Sequence, residues 1–235
     1  MPDDTLVYLI PCFLDESAVD VLPANIIETV LKCQVIFAEN ERSARRYLKQ
    51  LDRTIIIDNF EWFGLHKAEK EQLDNFRQKI KEGKNIAIIS EAGCPCVADP
   101  GQLLINAAQE LNVTVKPLVG PNSILLALMA SGLNGQTFKF NGYLPIDHAE
   151  RQKKLAALEE ESIKKNCTQI FIETPYRNNQ MAESIIKVCK PDTKVCIAAE
   201  LTSANEFIKT KTVLLWKSSM PDLHKKPVVF LLLGI

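Results

Sequence analysis

The hydrophobic positions in the first half of the chain fall into short runs separated by amphipathic stretches. In the stretch 67–82, for example, apolar residues recur at helical spacing and end at Gly83. Connections long enough to hold a helix favour parallel strands over hairpins, so the pattern predicts a parallel sheet covered on both faces. The predicted strands are 6–10, 35–38, 54–57, 86–89 and 113–118, and the predicted helices begin near Pro23 and cover 41–51, 67–82 and 101–111.

A turn at Gly120-Pro121-Asn122 separates this half from a second one with a different pattern. The last two apolar segments, 207–216 and 227–233, have no helical stretch between them, which favours antiparallel pairing. We therefore predict an α/β fold with two domains, 1–118 and 119–235, the first with a mostly parallel sheet and the second with a mixed sheet. The other predicted elements of the second half are helices 123–130, 148–165 and 180–189 and strands 138–140, 169–172 and 194–199.

Composition and charge narrow the class of protein. The chain has 235 residues, 46% of them hydrophobic and 24% charged, which suits a buried core and not a disordered or fibrous chain. Its formal net charge is −1, whereas dedicated nucleic-acid-binding proteins are usually strongly basic. A local basic cluster on the predicted helix 41–51 has two interpretations, a solvated face or a contact surface. Its members are Arg42, Arg45, Arg46 and Lys49.

Targeting signals and cysteine usage indicate a cytoplasmic protein. The segment 1–4 carries no basic region before the first apolar run, unlike a secretory signal. No stretch approaches the ~18 uninterrupted apolar residues of a membrane span. The seven cysteines are an odd number, and most lie in apolar or mixed runs, where they behave as small hydrophobic residues.

Candidate chemistry lies in the loops that follow the predicted strands, because ligands of open α/β sheets bind beyond the carboxyl ends of the strands. The richest loop, 90–101, contains Gly93, where main chain can approach a ligand closely. Asp99 in the same loop stands where it could cap the next helix. Loop 117–123 also turns at a glycine and starts a helix whose free amides could hold a polar group. Loops 10–15, 173–178 and 200–202 could face these two across a cleft between the domains.

Other site chemistries have weaker support. The sequence contains neither a GxGxxG fingerprint nor a P-loop, which argues against dinucleotide binding and phosphoryl transfer. Cys94 and Cys96 form a C-x-C pair, but His66, His148 and His224 are scattered, so a metal or redox centre is a minor alternative and no metal is expected.

Taken together, the five loops resemble the tetrapyrrole methylase superfamily, and within it the branch of ribosomal RNA small-subunit methyltransferase I. That branch typically shows S-D-A-G-T-P-x-x-S-D-P-G, P-G-P-S-A, F-x-G-F-L-P, Y-E-S-P-H-R and R-E-L-T. The matching segments, in the same order, are 90–101, 119–123, 140–145, 172–177 and 199–202.

The resemblance implies a methyltransferase that forms a homodimer of two-domain subunits. It also implies that S-adenosylmethionine binds in the cleft between the domains, largely through main-chain contacts. The positions that match the family's donor-binding residues are Pro11, Ala92, Gly93, Cys94, Val97, Asn122, Ser123, Glu173 and Leu201.

Two departures from the branch fall on the expected acceptor side. The first loop, usually T-P-I-G-N-L-E-D, reads Ile10-Pro11-Cys12-Phe13-Leu14-Asp15 and lacks the Gly-Asn pair. The stretch E-D-T-R becomes Glu39-Asn40-Glu41-Arg42, which keeps only its first and last residues. The donor site is therefore expected to be retained more closely than the acceptor site.

Methyl transfer requires mainly that the acceptor be aligned and water excluded, and a hydroxyl acceptor also benefits from a base. Glu39 is the first candidate base, and Asp99 and Glu173 are weaker candidates. Arg42 and Arg177 could bind an acidic acceptor or form surface ion pairs. Two acceptor classes remain open, ribosomal RNA and a small molecule such as a tetrapyrrole. A catalytically silent protein that only binds the donor is a third hypothesis.

Overall fold

The computed structural model describes residues 5–65 and 69–235 and divides after Asn122 into two compact units, called unit 1 and unit 2. The N-terminal segment 1–4, His66 and the predicted start of the helix 67–82 lie outside the described residues. Within the described part of the chain, no helix combines the length and the apolar character needed to cross a membrane.

Unit 1 is built on a five-stranded sheet in which every pair of neighbours is parallel, as the sequence predicts. The strands are β1 (Leu6–Ile10), β2 (Val35–Ala38), β3 (Glu61–Gly64), β4 (Ile86–Ile89) and β5 (Thr114–Pro117), and the helices are α1 (Asn25–Val30), α2 (Glu41–Leu51), α3 (Glu69–Lys81) and α4 (Gln102–Glu110). The strand order is β3-β2-β4-β1-β5. Strands β2 and β4 are buried along their whole length because helices cover both faces of the sheet.

The prediction of a third strand at 54–57 is wrong, since that strand is β3, a few residues further on. The Asp52 carboxylate accepts hydrogen bonds from the amide and hydroxyl groups of Thr54, which turn the chain after α2. Ile55 is buried in the core without belonging to a strand. In β3, by contrast, the Phe63 ring stacks on Phe37 of β2 with centroids 4.8 Å apart, which favours this register.

Unit 2 contains the predicted mixed sheet. The strands are β6 (Phe138–Tyr143), β7 (Thr168–Ile172), β8 (Lys194–Ala199), β9 (Phe207–Thr212) and β10 (Val228–Leu233), and the helices are α5 (Ser123–Ser131), α6 (His148–Lys165), α7 (Asn178–Val188) and α8 (Val213–Trp216). The strand order is β6-β7-β10-β8-β9. Only β6 and β7 are parallel, and β10 lies between β7 and β8, antiparallel to both.

The predicted strand 207–216 ends early, because its last four residues form α8. The Thr212 hydroxyl accepts a hydrogen bond from the Leu215 amide and caps this short helix. Trp216 is fully buried, and its indole N–H donates to the Val195 carbonyl at 2.9 Å. An anchored aromatic side chain with a satisfied polar tip therefore stabilises a helical turn where the apolar pattern alone suggests a strand.

Candidate active site

Three loops at the carboxyl edge of the unit 1 sheet are held together by hydrogen bonds and close packing. The Cys12 amide donates to the Gly93 carbonyl at 2.8 Å and joins the loop after β1 to the loop after β4. The Cys12 thiol donates to the Ser90 carbonyl at 3.2 Å. On the other side, the Leu118 amide donates to the Leu9 carbonyl at 3.0 Å. The loops that the sequence singles out in the first half are thus brought together.

Two glycines allow the close approach of these loops. Gly93 has φ of +69°, and a β-carbon there would lie 3.3 Å from the Leu14 side chain and 3.4 Å from the Pro121 carbonyl oxygen. Gly120 packs so tightly against Pro11 that an added β-carbon would overlap the proline ring. Pro11, Gly93 and the loop after β5 therefore form one packed edge, in which glycines allow the close approach.

The loop 90–101 has a fixed and unusual backbone path. Besides Gly93, the left-handed region is occupied by Cys96 (φ 68°), Ala98 (φ 65°) and Gly101 (φ 124°). Non-glycine residues in this region cost on the order of 1 kcal/mol each, and such strain concentrates at ligand-binding and active sites. Ala92 and Val97 are exposed on this loop, Val97 by 42%, so an apolar side chain and main-chain groups are available to a ligand.

The prediction that Asp99 caps the next helix is wrong. Helix α4 begins after Gly101, which has no side chain to cap it. Two amides at the start of this helix donate instead to Oε1 of Glu69 in α3, that of Gly101 at 3.0 Å and that of Leu103 at 2.7 Å. Sequence reasoning missed this cap because it comes from another helix. Asp99 is therefore available for another role.

Asp99 belongs to an acidic cluster, defined here as Glu39, Glu91 and Asp99. Burial, followed by the charges of Glu39 and then Glu91, raises the pKa of Asp99 to about 7, although a hydrogen bond with Ser90 opposes the shift. Glu39 directly follows β2, and its Oε2 accepts from the Glu91 amide at 3.0 Å. The two candidate bases, Glu39 and Asp99, are thus brought into one electrostatic environment. Their coupling is the kind found at sites of proton transfer.

The two half-buried cysteines of the loop are protonated at neutral pH. The Cys94 thiol lies 3.8 Å and 3.5 Å from the carbonyl oxygens of Gly120 and Pro121, and burial raises its pKa. Burial also raises the pKa of Cys96 to about 11. A neutral thiol is a poor nucleophile and metal ligand. Among the described residues, no three His, Cys, Asp or Glu side chains are grouped so as to hold a metal ion.

In unit 2, Glu173 and Arg177 form a largely buried ion pair. The Arg177 guanidinium donates to Glu173 Oε1 at 2.6 Å, and the Thr174 amide donates to the same oxygen. Burial alone would raise the pKa of Glu173, but these hydrogen bonds and the Arg177 charge outweigh it and hold that pKa below its usual value. The second carboxylate oxygen, Oε2, is buried and accepts no hydrogen bond.

The remaining predicted positions lie in both units. Asn122 ends unit 1, where its side chain forms a hydrogen bond with Cys94, and Ser123 begins helix α5 of unit 2. Leu201 is buried in the turn after β8, between Glu200 (φ 52°) and Thr202 (φ 69°). Arg42 lies on the exposed face of α2, next to the Asn40 side chain that caps this helix.

Several proteins of similar sequence share one name. The chain is 31% identical over 212 residues to a ribosomal RNA small subunit methyltransferase I from Buchnera aphidicola of Schizaphis graminum, covering 88% of this chain and 71% of the relative. A relative of the same name from Haemophilus influenzae is 32% identical, covering 88% and 72%. One from Escherichia coli O157:H7 is 33% identical over 180 residues, covering 75% of this chain and 62% of that protein. No protein-family model matches.

Solved structures share the fold. The methyltransferase CobJ superposes with a TM-score of 0.64 at 14% identity, covering 98% of this chain and 94% of that one. A cobalt precorrin-4 methyltransferase from cobalamin biosynthesis gives 0.63 at 16% identity, covering 97% and 94%. These likenesses establish the tetrapyrrole-methylase type of fold that the sequence predicts.

Proposed function

This chain belongs to the ribosomal RNA small subunit methyltransferase I family, and we propose that it transfers a methyl group from S-adenosylmethionine to ribosomal RNA. The observation that carries the proposal is the fixed path of the loop 90–101, which has left-handed residues and is bridged to Cys12 at the carboxyl edge of the sheet. The names of relatives at about 30% identity support the RNA acceptor.

The residues of unit 1 fit a donor held mainly by backbone. Gly93 packs closely against Leu14 and Pro121, while Val97 and Val119 expose 42% and 80% of their surface on the loops after β4 and β5. An adenosine moiety has an apolar ring to cover such side chains and polar edges for backbone groups. We assign donor contacts to Pro11, Ala92, Gly93, Cys94, Val97, Asn122, Ser123, Glu173 and Leu201.

The acidic cluster supplies the proton chemistry of the proposal. The donor, when bound, supplies an electrophilic methyl group on a sulfonium. Glu39, fixed by the Glu91 amide, accepts the proton of the acceptor hydroxyl as its oxygen bonds to the methyl carbon and the carbon–sulfur bond breaks. Asp99, with a pKa of about 7, is partly protonated at neutral pH, which limits the negative charge of the cluster.

The wider proposal includes a homodimer in the cytoplasm, with Arg42 and Arg177 contributing to acceptor binding. The family resemblance supports this assembly and location. Exposed Arg42 is available to a phosphate, whereas Arg177 is engaged by Glu173 and would contact an acceptor only with its remaining donor groups. Sedimentation analysis of the purified protein tests the dimer.

Two measurements test the function. The first is calorimetry with S-adenosylmethionine, and the second is a methylation assay on small-subunit ribosomal RNA from a bacterial strain that lacks its own ribosomal RNA small subunit methyltransferase I. We expect stoichiometric donor binding and label transfer to RNA. Gly93→Val should abolish donor binding, because its side chain would meet Leu14 and Pro121 and its φ is unfavourable for valine. Absence of donor binding by the unmodified protein would refute the proposal. If the protein binds the donor but transfers the methyl group only to a tetrapyrrole, the tetrapyrrole replaces ribosomal RNA as the acceptor.

A further inference from the structure

A small pocket opens in unit 1 beside the acidic cluster. Its volume is about 280 Å³, and it lies among the loop after β1, the start of α2 and the loop after β4. We call it the α2 pocket. Its lining includes Phe13, Glu16, Ser43, Arg46, Tyr47 and Glu91.

The inner wall of the α2 pocket is aromatic and rigid. Phe13 and Tyr47 are both buried and meet edge to face, with ring centroids 5.4 Å apart. The Tyr47 hydroxyl donates to the Pro11 carbonyl at 2.6 Å, so its ring is held in place. Phe13 stands in the segment where the chain departs from the family pattern, and this departure thus forms part of a built pocket rather than a disrupted loop.

Polar groups complete the pocket on its acidic-cluster side. The Ser43 hydroxyl donates to Glu91 Oε1 at 3.1 Å, and the Glu91 amide is bound by Glu39 at 3.0 Å. A group seated in the α2 pocket would therefore contact Glu91, whose amide donates to the candidate base Glu39. A carboxylate such as Glu91 is a suitable acceptor for the exocyclic amino group of a nucleobase.

A row of cations on α2 leads to the mouth of this pocket. Arg42, Arg46 and Lys49 are exposed and fall at positions i, i+4 and i+7, on one face of the helix. Arg46 lines the pocket and pairs with Glu16 across its mouth. Both side chains of that pair are more than half exposed, so a phosphate group can displace the carboxylate at little cost.

We propose that the α2 pocket is a subsite for one unpaired nucleotide of the RNA acceptor, with its base in the pocket and its flanking phosphates on Arg42 and Arg46. The inference rests on the proposed function and assigns the acceptor side of the same site. Enzymes that act on a base in nucleic acid hold the extruded nucleotide in a snug pocket between aromatic and apolar side chains, and the α2 pocket has such a wall. The α2 pocket is slightly smaller than the ~300–1,000 Å³ of pockets for drug-sized ligands, which suits one base and excludes enclosure of a four-ring macrocycle.

Binding of a fluorescently labelled single-stranded oligoribonucleotide of about ten nucleotides, a length within known single-strand site sizes, tests the subsite. Ser43→Phe fills the pocket and should weaken RNA binding by about tenfold or more, because the base loses its place. Ser43→Ala keeps the space and should change the affinity by less than about threefold. Unchanged RNA affinity in Ser43→Phe would overturn the proposal.

A charge variant on the exposed face keeps the test valid if Ser43→Phe folds poorly. Arg46→Ala should weaken RNA binding and lower the slope of log affinity against log salt by about one. Arg77→Ala is the matched control, since Arg77 is an ion-paired surface cation on α3 of the same unit. Equal effects of the two variants would contradict the subsite.

Donor calorimetry on the same variants separates this inference from the proposed function. Ser43→Phe and Arg46→Ala should bind S-adenosylmethionine as the unmodified protein does. If the unmodified protein binds RNA through the pocket but not the donor, the proposed function fails and the subsite stands. A different outcome is that the unmodified protein binds the donor and a carboxylated porphyrin, with Ser43→Phe abolishing porphyrin binding and leaving RNA binding unchanged. In that outcome the subsite belongs to a different acceptor and the inference fails.

Discussion

Gly120 lies against the ring of Pro11 with no room for a β-carbon between them. This contact joins the loops after β1 and β5, and it is the tightest contact in the packed edge that we propose as part of the donor site. Gly120→Ala should destabilise unit 1 by about 1–3 kcal/mol, because the overlap can be relieved only by moving one of the two loops. Urea denaturation, read as a shift in midpoint at constant slope, measures this loss.

Gly135→Ala provides the matched control for that substitution. An added β-carbon at Gly135 meets no atom within 4 Å, so its effect should stay within about 0.5 kcal/mol. Equal stability of the two variants would show that the loops are not packed as described. Weakened donor binding in Gly120→Ala alone would place this edge at the donor site.

Glu69 holds the start of α4 from a neighbouring helix. Glu69→Ala removes the acceptor for the Gly101 and Leu103 amides and should cost about 1–2 kcal/mol, the usual effect of losing a helix cap. The measurement is the free energy of unfolding in urea. Glu71→Ala, an exposed change in the first turn of the same helix, should be close to neutral. A loss of the same size in both variants would argue against the cap.

Breaking the Glu173–Arg177 pair should be strongly destabilising because the Glu173 side chain is only 1% exposed and would be left as a buried, unpaired charge. Arg177→Leu leaves that charge unpaired and should cost about 3 kcal/mol, the lower end for a buried pair since Arg177 itself is 30% exposed. The pKa of Glu173 is lowered by folding. Its stabilising effect is therefore fully present above the unfolded pKa and is lost as pH falls through the folded pKa.

Urea unfolding at neutral pH and in acid checks this prediction, and the difference between variant and parent should shrink in acid. Lys164→Leu is the control with the same i, i+4 spacing, because the Lys164–Glu160 pair is 70% and 66% exposed. It should cost less than about 1 kcal/mol. A pH-independent loss in Arg177→Leu would indicate packing rather than charge.

Much of the fold follows from the local pattern, and the prediction fails where pairing between distant segments decides. Helices α2 and α6 match their predicted bounds because a side-chain cap at Asn40 or Asp147 precedes a long, unambiguous helical segment. The predicted position of the third strand is wrong because two apolar runs, one around Ile55 and one around Phe63, compete for the same place in the sheet. Only the pairing with β2 decides between them, and that pairing is invisible in a local pattern.

The site divides in the same way. A long loop after β4 with a glycine near its start could be predicted as a binding loop, since strand ends and turn residues are local features. The contact of Glu39 with Glu91 and the cap from Glu69 could not, because each joins residues far apart in the chain. They exist because β2 lies beside β4 and α3 packs against α4, which only the folded topology determines.

The raised pKa of Asp99 should make stability fall with rising pH. Folding raises this pKa from 3.8 to about 7, so the native state holds the proton more tightly, and stability decreases as pH rises between those two values. Asp99→Asn removes this decrease. At about pH 8 the variant should melt at a higher temperature than the parent. The shift should be about 2–4 °C for each ~1 kcal/mol of difference in the free energy of unfolding. The two proteins should converge near pH 4, and a constant difference would contradict the shift.

Glu39→Gln tests the proton acceptor while keeping the architecture of the acidic cluster. The amide oxygen of glutamine can still accept the Glu91 N–H, so donor affinity should stay within about twofold of the parent. Methyl transfer to a hydroxyl acceptor should fall by about 10²–10⁴, the usual contribution of a general base. Glu41→Gln is the control, since that neighbouring carboxylate pairs with Arg45 on α2. Full activity in Glu39→Gln would leave Asp99 as the remaining candidate in the cluster, because proton removal would then not depend on the carboxylate that Glu91 holds.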